Sequence, residues 1–448
     1  MATNHPSIFK AYDFRGKYPA DFEDDFGYWL GRACAVFFGI PDIALGWDMR
    51  AGDQAFAKRF TAGANEQGVN VTQVGRIATD MIYFAAGHLN MPGVVFTASH
   101  NPAGWVGAKF CRAGASPVSE ETGLKDIRAL LESKAFPASA ATGTVQSVDI
   151  LPAYVQHFST IVDVPAIRPL KIVADAGNGM AGDVVPKVFG SFPVEIIPMY
   201  FELDETFPNH PPSPIEPENV QDLIAKVQAV GADFGMAFDG DADRVYFIDE
   251  NGGRISASFI TAMIAERMLA KEPGASVVYN VPSSHIVREV VEARGGKAIR
   301  ERVGHSFIKA TMRTNDCIFG GEHSGHFFYR DMYFADSAIV TAAVVMEIVS
   351  KSGKKFSELV RGYERYFAIE ETNFSVEDKA AVTKKLEDQY GAVANSVDRL
   401  DGITFEFEDW WFNVRGSNTE PKLRLNLEAT TVELRDAKFA ELGAVLKG

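Results

Sequence analysis

Cysteine is scarce: Cys34, Cys111 and Cys317 are the only three in 448 residues, widely spaced and odd in number. This argues against a disulfide framework and a cysteine-built zinc site, and makes a reducing cytoplasm the expected compartment. Basic residues are outnumbered, with 44 Lys and Arg against 59 Asp and Glu for a formal charge of −15 at pH 7. That balance opposes general binding to nucleic acid or anionic membranes and leaves only local basic clefts. A long unbroken hydrophobic run is also missing. The longest stretch free of Asp, Glu, Lys and Arg, Met81 to Ala108, is interrupted by His88, Asn90, Pro92, His100, Asn101 and Pro102, so it is not a membrane span. The opening Met1-Ala2-Thr3-Asn4-His5-Pro6 has no apolar core flanked by positive charge, and no secretory signal is expected.

What is present suits a globular protein with substantial cores: 46% of residues are hydrophobic and 23% charged, and the length suggests about three domains. Short apolar runs alternate with longer helical patterns, the signature of α/β domains. Gly93–Ala98, Lys171–Ala174, Phe234–Phe238 and Ser276–Val281 read as buried strands. Ser283 is placed to cap a helix from Ser284 to Arg294 that closes at Gly295-Gly296, and Asp336 to cap another running to Ser350 and closing at Gly353. After Ala368 the texture changes to alternating segments such as Gly402–Glu408, with helices near Asp378–Tyr390 and Thr431–Leu446, which suggests a smaller α+β domain. The loops Pro208–Pro217 and Glu250–Gly253 read as connectors.

Three apolar runs end in small polar loops: Thr97-Ala98-Ser99-His100-Asn101-Pro102, Asp239-Gly240-Asp241-Ala242-Asp243, and Gly320-Gly321-Glu322-His323-Ser324-Gly325-His326. Ligands of open α/β sheets sit beyond the carboxyl ends of strands, so three such loops, one per domain, could line one cleft. Asp239, Asp241 and Asp243 offer carboxylates at alternate positions, suited to a hard divalent cation with Mg²⁺ favoured if phosphate and water complete the shell; the competing account is an acidic turn open to solvent. An EF-hand loop would put Glu250 at its twelfth position, but its sixth would be Arg244 rather than Gly, and Val245–Ile248 continues as strand. Ser99 sits where a strand gives way to a turn and could accept and return a phosphoryl group; its bland alternative is a backbone cap. His100 could be an ordinary turn residue, and Lys109 either a proton carrier and charge stabiliser or an exposed lysine. Glu322, Ser324 and His326 form either a set able to grip adjacent sugar hydroxyls or a polar Gly-rich turn. Arg415-Gly416-Ser417-Asn418-Thr419-Glu420-Pro421 combines a guanidinium fork with small hydroxyls, fit for a phosphate dianion or for a surface turn; it is not a P-loop, because no Gly-Lys-Ser/Thr follows.

Taken with Tyr12-Asp13-Phe14-Arg15-Gly16, these loops occur in the order, and over nearly the whole length, of the α-D-phosphohexomutase superfamily, which the chain resembles. The Ser-Asn-Thr form of the last loop, preceded by Gly-Glu-His-Ser-Gly-His, is similar to the phosphomannomutase and dual phosphomannomutase/phosphoglucomutase branch; phosphoglucosamine mutases usually carry Ser-Gly-Thr. The resemblance implies three related α/β domains (1–150, 151–253, 254–367) and a smaller C-terminal α+β domain (368–448) around a central cleft. It implies that Ser99 is the phosphoserine, that Asp239, Asp241 and Asp243 bind Mg²⁺ with a seryl-phosphate oxygen, and that Glu322 and Ser324 hold sugar hydroxyls. Arg415, Ser417, Asn418 and Thr419 would grip the distal phosphate, Tyr12 and His326 would join the substrate site, and Arg15, Lys109, Arg244 and His305 would neutralise charge or shuttle protons. The implied reaction interconverts mannose 6-phosphate and mannose 1-phosphate, or the glucose pair, through hexose 1,6-bisphosphate as intermediate and activator. A sugar-phosphate phosphatase and a non-catalytic sugar-phosphate-binding protein are the rival classes, and a monomer or weak homodimer is expected. Two departures stand out: the pattern Gly-Arg-Asp-x-Arg appears as Gly46-Trp47-Asp48-Met49-Arg50, and the usual Asn-Gly before the active-site lysine as Val106-Gly107.

Overall fold

A computed structural model describes residues 5–23, 25–416 and 422–447. Its strands form four separate sheets, three mixed and one antiparallel. The three mixed sheets share one plan. In the first, parallel strands run in the order Gly93–Phe96, Asp42–Trp47, Asn70–Arg76, and the antiparallel strand Trp105–Arg112 flanks Gly93–Phe96. The second repeats it with Phe234–Phe238, Leu170–Asp175 and Val194–Met199, flanked by Val245–Asp249. The third does so with Phe319–Gly321, Ser276–Asn280 and Lys297–Glu301, flanked by Phe327–Tyr329. In each, the third parallel strand in sequence lies beside the first and turns directly into an antiparallel neighbour. The three polar loops are these equivalent turns, so the repeat visible only in outline along the chain is a repeat of topology.

The parallel strands read as apolar runs because helices cover both faces: Gly93–Phe96 and Phe234–Phe238 are buried at every position. A large core joins the three mixed sheets, and through it passes the helix Ala338–Ser352, buried on nearly every side from Ala338 to Glu347. An all-round apolar helix needs such an interior position to hide its surface. At 15 residues it is a core helix, and no helix among the described residues is long and apolar enough to cross a membrane. The antiparallel sheet, with Lys422–Ala429 and Trp410–Gly416 at its centre, has its own core around Phe405, Phe412, Leu425 and Leu442, built against the helices Lys379–Tyr390 and Val432–Lys447.

Three local expectations are corrected. The helix expected to be capped by Ser283 starts at His285 with Ser284 as cap, because the Ser283 hydroxyl is engaged by Asn280 Oδ1. The cap expected at Asp336 is Ser337, whose Oγ accepts from Val340 N, while Asp336 Oδ1 lies 2.7 Å from the ammonium of Lys309. Glu250–Gly253 is a hairpin turn rather than a connector, since Arg254–Ile255 pairs back onto Phe247 and Ile248. Glu250, the position an EF-hand would use as a ligand, instead accepts hydrogen bonds from the backbone and hydroxyl of Ser357.

The mixed domains meet at Asp80, which is fully buried and accepts hydrogen bonds from Tyr154 and Ser337. Burial pushes its carboxyl up to about 7, against the downward pull of those two hydroxyls. The native state therefore holds a proton that the unfolded chain releases above its ordinary value near 4, so stability falls as pH rises through this window and the penalty is complete above about 7. Asp80→Asn should raise stability at pH 8 by about 2–4 kcal/mol, with the gain shrinking as pH approaches 4. Thermal unfolding of both proteins at pH 5 and pH 8 checks this, and an equal difference at the two values would contradict it.

Candidate active site

The turn after Gly93–Phe96 holds Ser99 in the left-handed region (φ 52°), with its amide donating to Thr97 Oγ1. The turn after Phe234–Phe238 faces it. Ser99 Oγ donates to Asp239 Oδ2 at 3.3 Å, and the two turns pack so closely that a Cβ on Gly240 would lie 2.5 Å from the Ser99 carbonyl oxygen. Glycine is required there for that approach.

The side chains of Asp239, Asp241 and Asp243 converge, each offering an oxygen within 4.8 Å of the others. Asp239 accepts from the amides of Asp243 and Arg244 and from Arg244 Nε. Asp241 Oδ2 accepts from Thr79 Oγ1 and Lys109 Nζ, both at 2.6 Å, and Lys109 also reaches Asp243 Oδ2 at 2.5 Å. Lys109 is 4% exposed, which removes the surface-lysine account. Burial drives the Asp239 carboxyl well above its ordinary value, and repulsion from Asp243 and Asp241 adds to the rise. Burial would raise Asp241 too, but the Lys109 charge and the hydrogen bonds from Lys109 and Thr79 hold it below the usual range. Lys109 is itself lifted well above its ordinary value, the two carboxylates outweighing its desolvation. The second oxygens of Asp241 and Asp243 are buried without a hydrogen-bond partner. A buried trio of carboxylates with unused oxygens and an ammonium already drawn between two of them fits a cation site, and the solvated acidic turn is overturned.

Around this centre, Arg15 donates to Asp13 and to Asn101 Oδ1, and the guanidinium of Arg244 contacts the His100 ring. From the third mixed sheet, Glu322 is buried, accepting from Gly304 N and Ser324 Oγ. His326 Nδ1 lies 2.9 Å from Asp336 and 3.8 Å from Asp243 Oδ1, which ties this loop to the aspartate loop. His305 opens the helix His305–Asn315, its ring 5.0 Å from that of Tyr12 and 6.1 Å from that of His326. Burial, with the nearby charge of Lys309, holds its imidazole well below the ordinary histidine value, so it is neutral at pH 7. Tyr12 donates weakly to the Val303 carbonyl at 3.4 Å. In the C-terminal domain, Arg415 pairs with Glu371 at 2.7 Å, which also binds Arg424; Ser417, Asn418 and Thr419 lie outside the described residues.

Several groups supporting these side chains carried no local signal. Thr79 and Lys309 drew no reading at all, Glu371 is half of an acidic pair, and Asp336 read as a helix cap. Only Arg50 stood inside a pattern, Gly-x-Asp-x-Arg, that could have drawn notice.

Four family profiles match the chain: "Phosphoglucomutase/phosphomannomutase, alpha/beta/alpha domain I" over residues 6–138, domain II over 152–253, domain III over 256–366, and the C-terminal domain over 371–441. A phosphomannomutase of Escherichia coli is 39% identical over 450 residues, covering 98% of this chain and 99% of the relative. One from Salmonella montevideo is 38% identical over 450 residues, covering 98% of each. A protein of Xanthomonas campestris described as "Phosphohexose mutases" is 36% identical over 443 residues, covering 98% and 99%. The crystal structure of a phosphoglucomutase/phosphomannomutase family protein from Burkholderia thailandensis superposes with a TM-score of 0.90 at 29% identity, covering 98% of this chain and 97% of that one. With every domain matched in order and relatives aligned end to end, the chain belongs to the phosphoglucomutase/phosphomannomutase family and is a phosphohexomutase, an isomerase.

Proposed function

We propose that the chain is a phosphomannomutase, interconverting mannose 6-phosphate and mannose 1-phosphate through a phosphorylated Ser99 and a hexose 1,6-bisphosphate. The observation that carries the reading is the Ser99 hydroxyl facing Asp239 inside a buried aspartate trio. The free sugar hydroxyl attacks the phosphorus of phospho-Ser99, the P–Oγ bond breaks, the hydroxyl proton passes to a base and the departing Ser99 oxygen takes up a proton, with His305 among the groups that would shuttle protons in the cleft. The bisphosphate then turns around, Ser99 Oγ attacks its other phosphorus and gives up its proton, and the sugar O–P bond breaks, leaving a protonated sugar hydroxyl and phospho-Ser99. Asp239, Asp241, Asp243 and a seryl oxygen would hold Mg²⁺, which would supply positive charge beside the phosphoryl oxygens.

Arg15, Lys109 and Arg244 bring further positive charge to a reaction that depends on alignment and neutralisation. Glu322 and Ser324 would hold adjacent sugar hydroxyls in either orientation. Arg415, with Ser417, Asn418 and Thr419, would bind the phosphate that is not reacting, while Tyr12 and His326 would complete the pocket. Closure of the C-terminal domain over the sugar would exclude water from the phosphoenzyme. Mannose is the reading supported by the two enteric relatives named phosphomannomutase. A coupled assay of mannose, glucose and glucosamine 1-phosphates with a trace of bisphosphate should give the highest kcat/KM for mannose 1-phosphate. Faster turnover of glucose 1-phosphate would transfer the name to a phosphoglucomutase, and inorganic phosphate as the main product would make the chain a phosphatase.

A further inference from the structure

We infer that Arg50 is a positioning residue for Ser99, a clamp that sets the direction from which its oxygen meets substrate; the inference rests on the proposed role of Ser99 as phosphoryl carrier. Arg50 is 1% exposed, beneath the serine turn. Its Nη2 donates to the carbonyl oxygens of Ser99 at 2.9 Å and Asn101 at 2.7 Å, and its Nη1 to that of Pro102 at 3.0 Å. One planar fork thus holds three carbonyls of a single turn. The fork is itself fixed. The Arg50 amide donates to Asp48 Oδ1 at 2.7 Å, Nε lies 3.4 Å from Asp48 Oδ2, and the ring of Phe207, from the second mixed domain, backs the guanidinium at 5.1 Å.

The consequence for Ser99 follows from backbone geometry. A serine at φ 52° occupies a conformation that costs an L-residue energy, and contacts that hold it there offset that cost. Its carbonyl is held by Arg50 on one side and abutted by Gly240 on the other. Fixing that peptide plane fixes the Cα–Cβ bond, and with it the arc on which Oγ can lie near Asp239. No atom of Arg50 needs to touch the sugar. A lysine would keep the charge but, as a point donor, cannot span three carbonyls in a plane.

Arg50→Lys tests this. A displacement of Oγ by about 1 Å costs on the order of 100-fold in rate. The variant should therefore lose about 30- to 100-fold in kcat while KM moves less than about threefold, and the ³¹P resonance of phospho-Ser99 should shift or broaden. The paired variant Asp48→Asn/Arg50→Gln removes both charges together and should lose kcat in the same way. A natively folded variant of either kind that keeps kcat within about twofold, or loses activity only through KM, overturns the inference. Failure of both to fold also overturns it, in favour of a purely structural arginine. The wild type separates the two ideas: if it isomerises no hexose phosphate, the proposed function fails, whereas a working wild type beside an unimpaired Arg50→Lys removes only the clamp.

Discussion

Ser99→Ala is expected to abolish isomerisation, with kcat falling about 10⁴-fold or more, as loss of an enzyme's only covalent carrier does. The protein should remain folded. Ser99 is 2% exposed and its hydroxyl makes one bond of 3.3 Å, so alanine removes little packing, and the backbone stays held through its carbonyl. Binding of sugar phosphate should change less than about threefold, because no group assigned to grip the sugar is altered. The decisive measurement is label transfer: ³²P-labelled bisphosphate should leave stoichiometric acid-stable label on the wild type and none on the variant. Turnover within about tenfold of wild type would end the phosphoserine reading, and full binding without any wild-type turnover would favour a non-catalytic sugar-phosphate-binding protein.

The loops of Ser99, of Asp239 to Asp243 and of Glu322 to His326 were legible as candidates because each follows a run that is buried on both faces, and such runs are short, apolar and easily bounded; the roles proposed for them rested on the resemblance. The α/β character was legible from the same runs and the smaller α+β domain from the alternating segments after Ala368, whereas the division into three related α/β domains came from the resemblance. What the letters did not carry is pairing across distance. Asp336 and Ser337 are both good helix caps by type, and the choice between them is made by Lys309, which takes the aspartate. Ser283 and Ser284 differ only in that Asn280 captures the first. Asp80 begins an ordinary helical turn, and its junction role depends on Ser337, 257 positions away. The common strand order of the mixed sheets was hidden for a different reason: it is a property of hydrogen-bonded neighbours, shared by segments with unrelated side chains.

Binding of Mg²⁺ to the aspartate trio is expected to expel protons, and its affinity to climb as pH rises. Asp239 is the source. Buried beside Asp243 and Asp241, its carboxyl is pushed well above its ordinary value, and a carboxylate ligand must be ionised, so an arriving cation displaces whatever proton that carboxyl holds. Asp241 does not contribute, since Lys109 keeps it ionised beforehand against the pull of burial. Calorimetric titrations in buffers of different ionisation heat count the protons directly. Asp239→Asn should weaken Mg²⁺ binding and reduce the release towards zero. Lys109→Met should increase it instead: without the ammonium that lies 2.6 Å from Asp241, the Thr79 hydroxyl is left to oppose burial, that carboxyl rises, and it adds to the protons shed when the cation arrives. Release independent of both substitutions, or an affinity that does not change with pH, would show that the trio is already ionised and that the charge balance drawn from its burial is wrong.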